Sequence, residues 1–256
     1  MKQGKKIIVS LLYPTVAVAI AICVWAIAAN AVGVELVLPT PAAAFRRFFE
    51  VAREGAFYRA LFSTVWRSLV CFFLCTLFAG FFACLSALFS PVYRLVSPFI
   101  AVLRAVPTMS IIILCLIWLM PDTTPSVVAG IITFPALYSG FYAAITGVDV
   151  RLLEMARVYR IPKIKRVTHI ILPQAAEPAF HQLQSAIGLN LKVLIAAEVM
   201  ASTANSIGNL MKNSQVQLDT ASLFAYTAAA IAVSLVLELA VFGLRYLCLR
   251  WKRVAS

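Results

Sequence analysis

The chain has 256 residues, 62% hydrophobic and only 12% charged, where a soluble domain of this size carries roughly a quarter charged residues. That composition excludes a water-soluble fold and leaves an all-α membrane protein. The net charge of +12 does not mark a nucleic-acid partner, because the basic residues sit at the ends of apolar segments, as the Lys and Arg bias of cytoplasmic loops requires.

The first element is a charged start, residues 1–6, followed by an apolar run over 7–29. At about 23 residues the run is long enough to span a bilayer, so it reads as an uncleaved first helix and not as a signal peptide. Further apolar runs cover 60–89, 97–120, 124–147, 175–201 and 222–248, giving six spans in one domain over 1–256. Six spans put both termini on one side, and Lys2, Lys5, Lys6, Arg245, Arg250, Lys252 and Arg253 place that side in the cytoplasm. The connection after span four then also lies inside, and it carries Arg151, Arg157, Arg160, Lys163, Lys165 and Arg166. On the opposite side, residues 121–126 hold no Lys or Arg, and 202–221 hold only Lys212. The first outer loop, 30–59, runs against the rule with Arg46, Arg47, Arg53 and Arg59. Its Phe45, Phe48, Phe49, Val51 and Ala52 alternate with those charges in a helical rhythm, which predicts a short helix in the outer interface. Cys23, Cys71, Cys75, Cys84, Cys115 and Cys248 fall within or beside apolar runs without zinc or disulfide spacing, and read as small apolar helix residues.

The stretch over 149–173 is too polar to span but is patterned as two short helices. Leu152, Met155, Ala156 and Tyr159 recur at i, i+3, i+4 and i+7 as one apolar stripe, with Asp149 as its N-cap. In the second helix Pro162 takes the first position, Ile164, Val167 and Ile171 share a face, and Pro173 marks the next boundary.

This stretch resembles the cytoplasmic loop of the permeases of binding-protein-dependent ABC importers. Their pattern is Glu-Ala-Ala, three residues, Gly, nine residues, Ile, one residue, Leu-Pro. Glu154, Ala156, Ile170, Leu172 and Pro173 match it with the spacing intact, while Met155 and Arg160 depart from it, Arg160 standing where the family usually has Gly to allow the turn. Other stretches are similar to the nitrate, sulfonate and taurine branch: Leu38-Pro39-Thr40-Pro41, Ser63-Thr64-Val65-Trp66-Arg67-Ser68-Leu69, Leu103-Arg104-Ala105-Val106-Pro107 and Ala196-Ala197-Glu198-Val199-Met200. The resemblance covers about four fifths of the chain, with a permease core over about 55–250.

The resemblance implies the type I importer permease fold and a coupling hairpin, over about 149–173, that docks on an ABC ATPase through Leu152, Glu154, Ala156, Tyr159, Arg160, Pro162, Leu172 and Pro173. It implies no cofactor on this chain, with ATP and Mg used by the ATPase. It also implies an extracytoplasmic solute-binding protein and a second permease copy as partners, with membrane lipid around them, in the bacterial cytoplasmic membrane. The solute is a nitrate-, sulfonate- or taurine-like anion or a vitamin precursor.

Charged residues in or near spans normally face a partner or water, since a central charge costs on the order of 3 kcal/mol. Arg104, Pro107, Lys192 and Glu198 are therefore candidate pathway residues, with Pro107 able to kink the third span. Lys192 and Glu198 are six apart, about 120° around a helix, and do not pair within one. Related permeases usually carry an apolar or aromatic residue near Lys192. Two readings stand for it: a pathway cation that attracts an anion, or a structural counter-ion that snorkels. Arg67 also lies in a span, and Glu238 reads as structurally paired.

Glu177 and His181 share a helical face, but His169 is the only other histidine, so neither a metal site nor an enzyme site is expected. No Gly-x-x-x-x-Gly-Lys-Ser/Thr loop is present to hold ATP phosphates. An ion-coupled secondary transporter is the alternative, and it would call for related halves that the sequence does not show. An intramembrane enzyme or a scaffold leaves the docking pattern unexplained.

Overall fold

The computed structural model describes residues 2–249; the terminal charges Lys2, Lys5, Lys6, Arg250, Lys252 and Arg253 lie outside the side chains described. The described residues form helices without strands, the solution that lets a chain in hydrocarbon satisfy its own backbone hydrogen bonds. In order they are α1 (Lys2–Val32), α2 (Pro41–Val51), α3 (Gly55–Leu88), α4 (Ser90–Ala105), α5 (Thr108–Trp118), α6 (Thr124–Thr146), α7 (Val150–Val158), α8 (Lys163–Arg166), a π-helical turn (Val167–Ile171), α9 (Leu172–Ala201), α10 (Ile207–Val216) and α11 (Thr220–Cys248). Five of the described helices are long and apolar enough to cross a membrane, and a sixth span is formed if the bent pair α4 and α5 counts as one.

That pair corrects the third span. The sequence predicts one run over 97–120, whereas the chain turns by 98° between α4 and α5. The cause is Pro107, which has no N–H for the ladder and biases Val106 to extended backbone; Val106 adopts ψ 129° and Pro107 ψ 132°. Helix α4 starts earlier than expected and has Arg94 and Arg104 exposed among its apolar side chains.

By its contacts the chain divides into two compact units. The first comprises Met1–Tyr58 and Leu210–Ala229. Here the short helix expected in the first loop is α2, with Thr40 as N-cap accepting from the Ala43 N–H at 3.2 Å and Pro41 at its first position. Arg47 donates to Ser222 at 2.7 Å and pairs with Glu50 at 3.0 Å and Asp219 at 3.6 Å. The Trp25 indole N–H donates to the Pro39 carbonyl at 3.1 Å, and its ring stacks on Phe224.

The second unit comprises Arg59–Asn209 and Ala230–Ser256. Its core runs through Cys71, Cys75, Ala79, Ala83, Ile112, Cys115, Val128, Leu137, Ile187, Leu194 and Ala197, so three of the six cysteines serve as small apolar packing residues. Helices α6 and α9 pack along each other, and small residues make this approach possible because lipid leaves close van der Waals contact as the main driving force. A Cβ on Gly140 would fall 2.2 Å from Gln182 Cγ. The buried Asn190 spends its whole amide between helices, donating to the Ser68 carbonyl at 3.0 Å and hydroxyl at 2.9 Å and accepting from Thr133 at 3.3 Å.

Candidate docking hairpin and solute pathway

Asp149 caps α7 as its position predicts: its side chain accepts from the Arg151 N–H at 2.9 Å, and its own N–H donates to Gln174 at 3.2 Å, tying the hairpin start to α9. The stripe Leu152, Met155, Ala156 and Tyr159 is not one inward face. Only Ala156 is buried, at 0% exposure, while Leu152, Met155 and Tyr159 are exposed, Tyr159 at 75%. Val158, which the stripe omits, is exposed too, at 79%. Burial needs a side chain no larger than Ala at 156, and the large apolar groups are left on the outside of a short polar helix. Glu154 is exposed beside them.

The turn after α7 closes as a Schellman motif, with the Arg160 N–H on the Arg157 carbonyl at 3.0 Å and the Ile161 N–H on the Ala156 carbonyl at 2.9 Å. Such a motif puts the residue past the C-cap in left-handed backbone, normally a glycine. Arg160 occupies that position with φ +52°. Its Cβ makes the conformation cost about 1–2 kcal/mol more than glycine, and the flanking hydrogen bonds still hold it. The turn therefore survives the departure from the usual Gly.

Pro162 stands one residue before α8, where its carbonyl accepts from the Arg166 N–H at 3.0 Å, a cap position and not the first helical one. Pro173 is likewise not a boundary. Residues Ile164–Ala201 run as one helical stretch, and the ladder widens upstream of Pro173, with the Leu172 N–H reaching the Val167 carbonyl five residues back. Proline has no N–H, and its ring crowds the carbonyl four residues earlier; a π-turn gives that carbonyl room. The expected second short helix is thus the N-terminal end of the fifth span, and Leu172 is 61% exposed on it.

The four pathway candidates do not come together. Arg104 and Pro107 are exposed at the break between α4 and α5, where Arg104 reaches the Pro135 carbonyl at 3.4 Å. Lys192 is exposed on α9. Glu198, on another face of α9, has 0% exposure. Its carboxylate accepts from the Thr64 hydroxyl at 2.9 Å, the Arg67 guanidinium at 3.2 Å and the Gly208 N–H at 3.3 Å. Thr64 in turn accepts from the Ile207 N–H at 3.0 Å, and Arg67 donates to the Ala204 carbonyl at 3.3 Å. Glu198 thereby fixes α3 to the loop between α9 and α10, in which Ser202 and Asn205 take left-handed backbone.

Thr64 and Ile207 were not singled out by role in the sequence. Thr64 lies in the Ser63 to Leu69 stretch that carries the resemblance, and that stretch is the signal that could have found it. A polar cleft of about 440 Å³ lined by His181, Gln184, Ser185, Glu238, Phe242 and Arg245 was also missed; Glu238 accepts there from Ser234 at 3.3 Å, and Glu177 pairs with Arg245 at 2.9 Å.

The chain is similar to two proteins described as the aliphatic sulfonates transport permease SsuC. For that of Escherichia coli (strain K12) the identity is 27%, over 78% of this chain and 76% of the relative. For that of Bacillus subtilis (strain 168) it is 24%, over 74% and 68%. It is also similar to the riboflavin transport system permease protein RibX of Chloroflexus aurantiacus, at 22% identity over 84% and 81%. The crystal structure of an amino acid ABC transporter with histidines shares the fold, with a TM-score of 0.59 at 18% identity over 76% of this chain and 92% of that one. Residues 76–254 match the family described as the binding-protein-dependent transport system inner membrane component, and a match over that much of the sequence places this chain in that family, as the permease of an ABC importer.

Proposed function

We propose that the chain forms the solute pathway together with a second copy of itself, and that separate ATPase subunits, using ATP and Mg, drive it through the 149–173 hairpin. The observation that carries this reading is the exposed cluster Leu152, Met155, Val158 and Tyr159 on α7. Large apolar groups on a short polar helix lose free energy in water and regain it when a partner surface covers them. Ala156 and the Schellman turn seat α7 rigidly, so a pull on it passes into α9 through the Asp149 to Gln174 bond. Leu172 and Pro173 mark where that pull enters the span.

Both termini and the hairpin lie in the cytoplasm in this reading, by the distribution of Lys and Arg. ATP-driven closure of the ATPase pair rocks the two permease copies between inward-facing and outward-facing states, and a solute-binding protein delivers from the other side. One chain of six spans encloses little pathway alone, which favours a closed two-fold pair. The relatives described as carriers of sulfonates and of riboflavin leave the solute class open at this level, and Arg104, Pro107 and Lys192 are its candidate contacts.

The test is copurification of the chain with its ATPase. Wild type should retain the ATPase, and Glu154→Lys or Tyr159→Asp should release it while the permease stays monodisperse. Uptake into vesicles that proceeds without ATP would sink the reading in favour of an ion-coupled carrier.

A further inference from the structure

Along α9 the exposed positions from the cleft outward are His181, Ser185, Leu189, Lys192, Ala196 and Met200. At 100° per residue they lie within an arc of about 100°, while Ile187, Asn190, Leu194, Ala197, Glu198 and Ala201 take the opposite, buried side. The helix therefore presents one continuous open stripe along most of its length. Its inner end runs into the polar cleft, which His181 and Ser185 help to line.

Lys192 sits on this stripe about nine residues, or ~14 Å, from the outer end of α9, near the middle of a hydrocarbon core about 30 Å thick. Among the described residues, Arg67 pairs with Glu198, Arg104 reaches the Pro135 carbonyl and Glu238 accepts from Ser234. Lys192 has no such partner among the described residues, and no carboxylate shares its stripe. A bare ammonium at that depth is tolerated where its stem snorkels to the interface or where water or an anion reaches it. Its neighbours one turn away are Leu189 and Ala196, which do not obstruct a small solute, and Gly188, against which the Glu238 carboxylate of α11 packs without forming an ion pair with the ammonium among the described residues.

We propose that Lys192 is an anion-selecting residue of the pathway and that the transported solute is a small anion attracted to the open stripe of α9. This rests on the importer reading above and names its solute class. The Coulomb attraction of one ammonium raises the local concentration of an anion and lowers that of a cation, and the low-dielectric walls of a pathway focus the field.

The probes are methanethiosulfonate reagents, one carrying a sulfonate and one a trimethylammonium group, applied to Ala196→Cys in the copurified complex with its ATPase in lipid vesicles. Modification is read by mass spectrometry on the peptide containing residue 196, so the native cysteines need not be replaced. Normalised to a free thiol, the sulfonate reagent should react roughly tenfold faster than the cationic one. Lys192→Met should bring the ratio to about one, and Lys192→Arg should keep it. Leu189→Cys serves as the second site if Ala196→Cys fails to assemble. The inference is overturned if only membrane-permeant N-ethylmaleimide labels the stripe, which would place Lys192 against lipid, or if Lys192→Met leaves the ratio unchanged. Labelling that ignores ATP with vanadate would instead count against the importer reading and leave the charge preference standing.

Discussion

The Glu198 carboxylate and the Thr64 hydroxyl lie 2.9 Å apart with both side chains closed to solvent, and that single hydroxyl also accepts from the Ile207 N–H. Two helices and the loop between α9 and α10 thus meet at one threonine oxygen. Removing the oxygen leaves a buried carboxyl group and a buried backbone donor each one partner short at the same time. Thr64→Val should lower the stability of the detergent-solubilised chain by about 2 kcal/mol, with Thr64→Ser close to wild type, measured by thermal unfolding. Gly208→Ala should be worse, because its Cβ would lie 2.4 Å from Glu198 Cβ and 2.6 Å from the Val199 nitrogen, contacts that only a backbone shift relieves.

Arg160 supplies a prediction in the opposite direction. Its left-handed backbone, φ +52°, is strained for any residue with a Cβ, so Arg160→Gly should stabilise the hairpin by about 1 kcal/mol. Asn should fall between Gly and Arg, and the β-branched Arg160→Val should be the least stable. Hydrogen exchange of the Arg160 and Ile161 amides reports the order directly. An equal exchange rate for Gly and Val would show that the turn does not depend on this backbone conformation.

Asp219, at the start of α11 outside the span, gives the pH dependence. Burial opposes its ionisation, but the Ser222 hydroxyl and N–H and the Arg47 guanidinium outweigh it, holding the carboxyl below the ordinary value of 3.8. A depressed carboxylate contributes stability that is present above its unfolded value and is lost as pH falls through the folded one. The stability difference between wild type and Asp219→Asn should therefore be constant from neutral pH down to about 4 and close below 3.8. Thermal midpoints of the two proteins across that range check it; a gap that closes between pH 5 and 7 would implicate another group.

Much of this architecture was legible because composition and punctuation agree. The fourth span, expected over 124–147, is Thr124–Thr146, bounded by Pro125 at one end and Gly147 at the other. The break at Pro107 followed from the missing donor. That α4 is a separate helix did not, because its apolar side chains merged with those of α5 into one hydropathic run. The face of Glu198 could be separated from that of Lys192 by counting 100° steps, yet which residue would meet it depends on how α3 packs against α9, and that information is absent from either helix alone. The left-handed turn at Arg160 was written into the sequence only as a missing glycine.

Pro173 tests whether the hairpin transmits force by its register. The Leu172 N–H reaches the Val167 carbonyl across a turn one residue wider than an α-turn, and that widening sets the angular position of α8 relative to α9. Pro173→Ala restores the N–H and removes the crowding on the preceding turn, so the ladder can close as regular α-helix. Taking one residue out of the wide turn rotates α8 by about 100° and shifts it by about 1.5 Å. The chain itself should be no less stable, since the variant gains a backbone hydrogen bond. The docking surface on α7, joined to α8 through the turn at Arg160, should be displaced relative to α9, and solute-stimulated ATP hydrolysis by the assembled complex should fall at least tenfold with assembly retained. Unchanged ATPase stimulation alongside a regular helix in the variant would mean that the hairpin docks without reading the register of the fifth span.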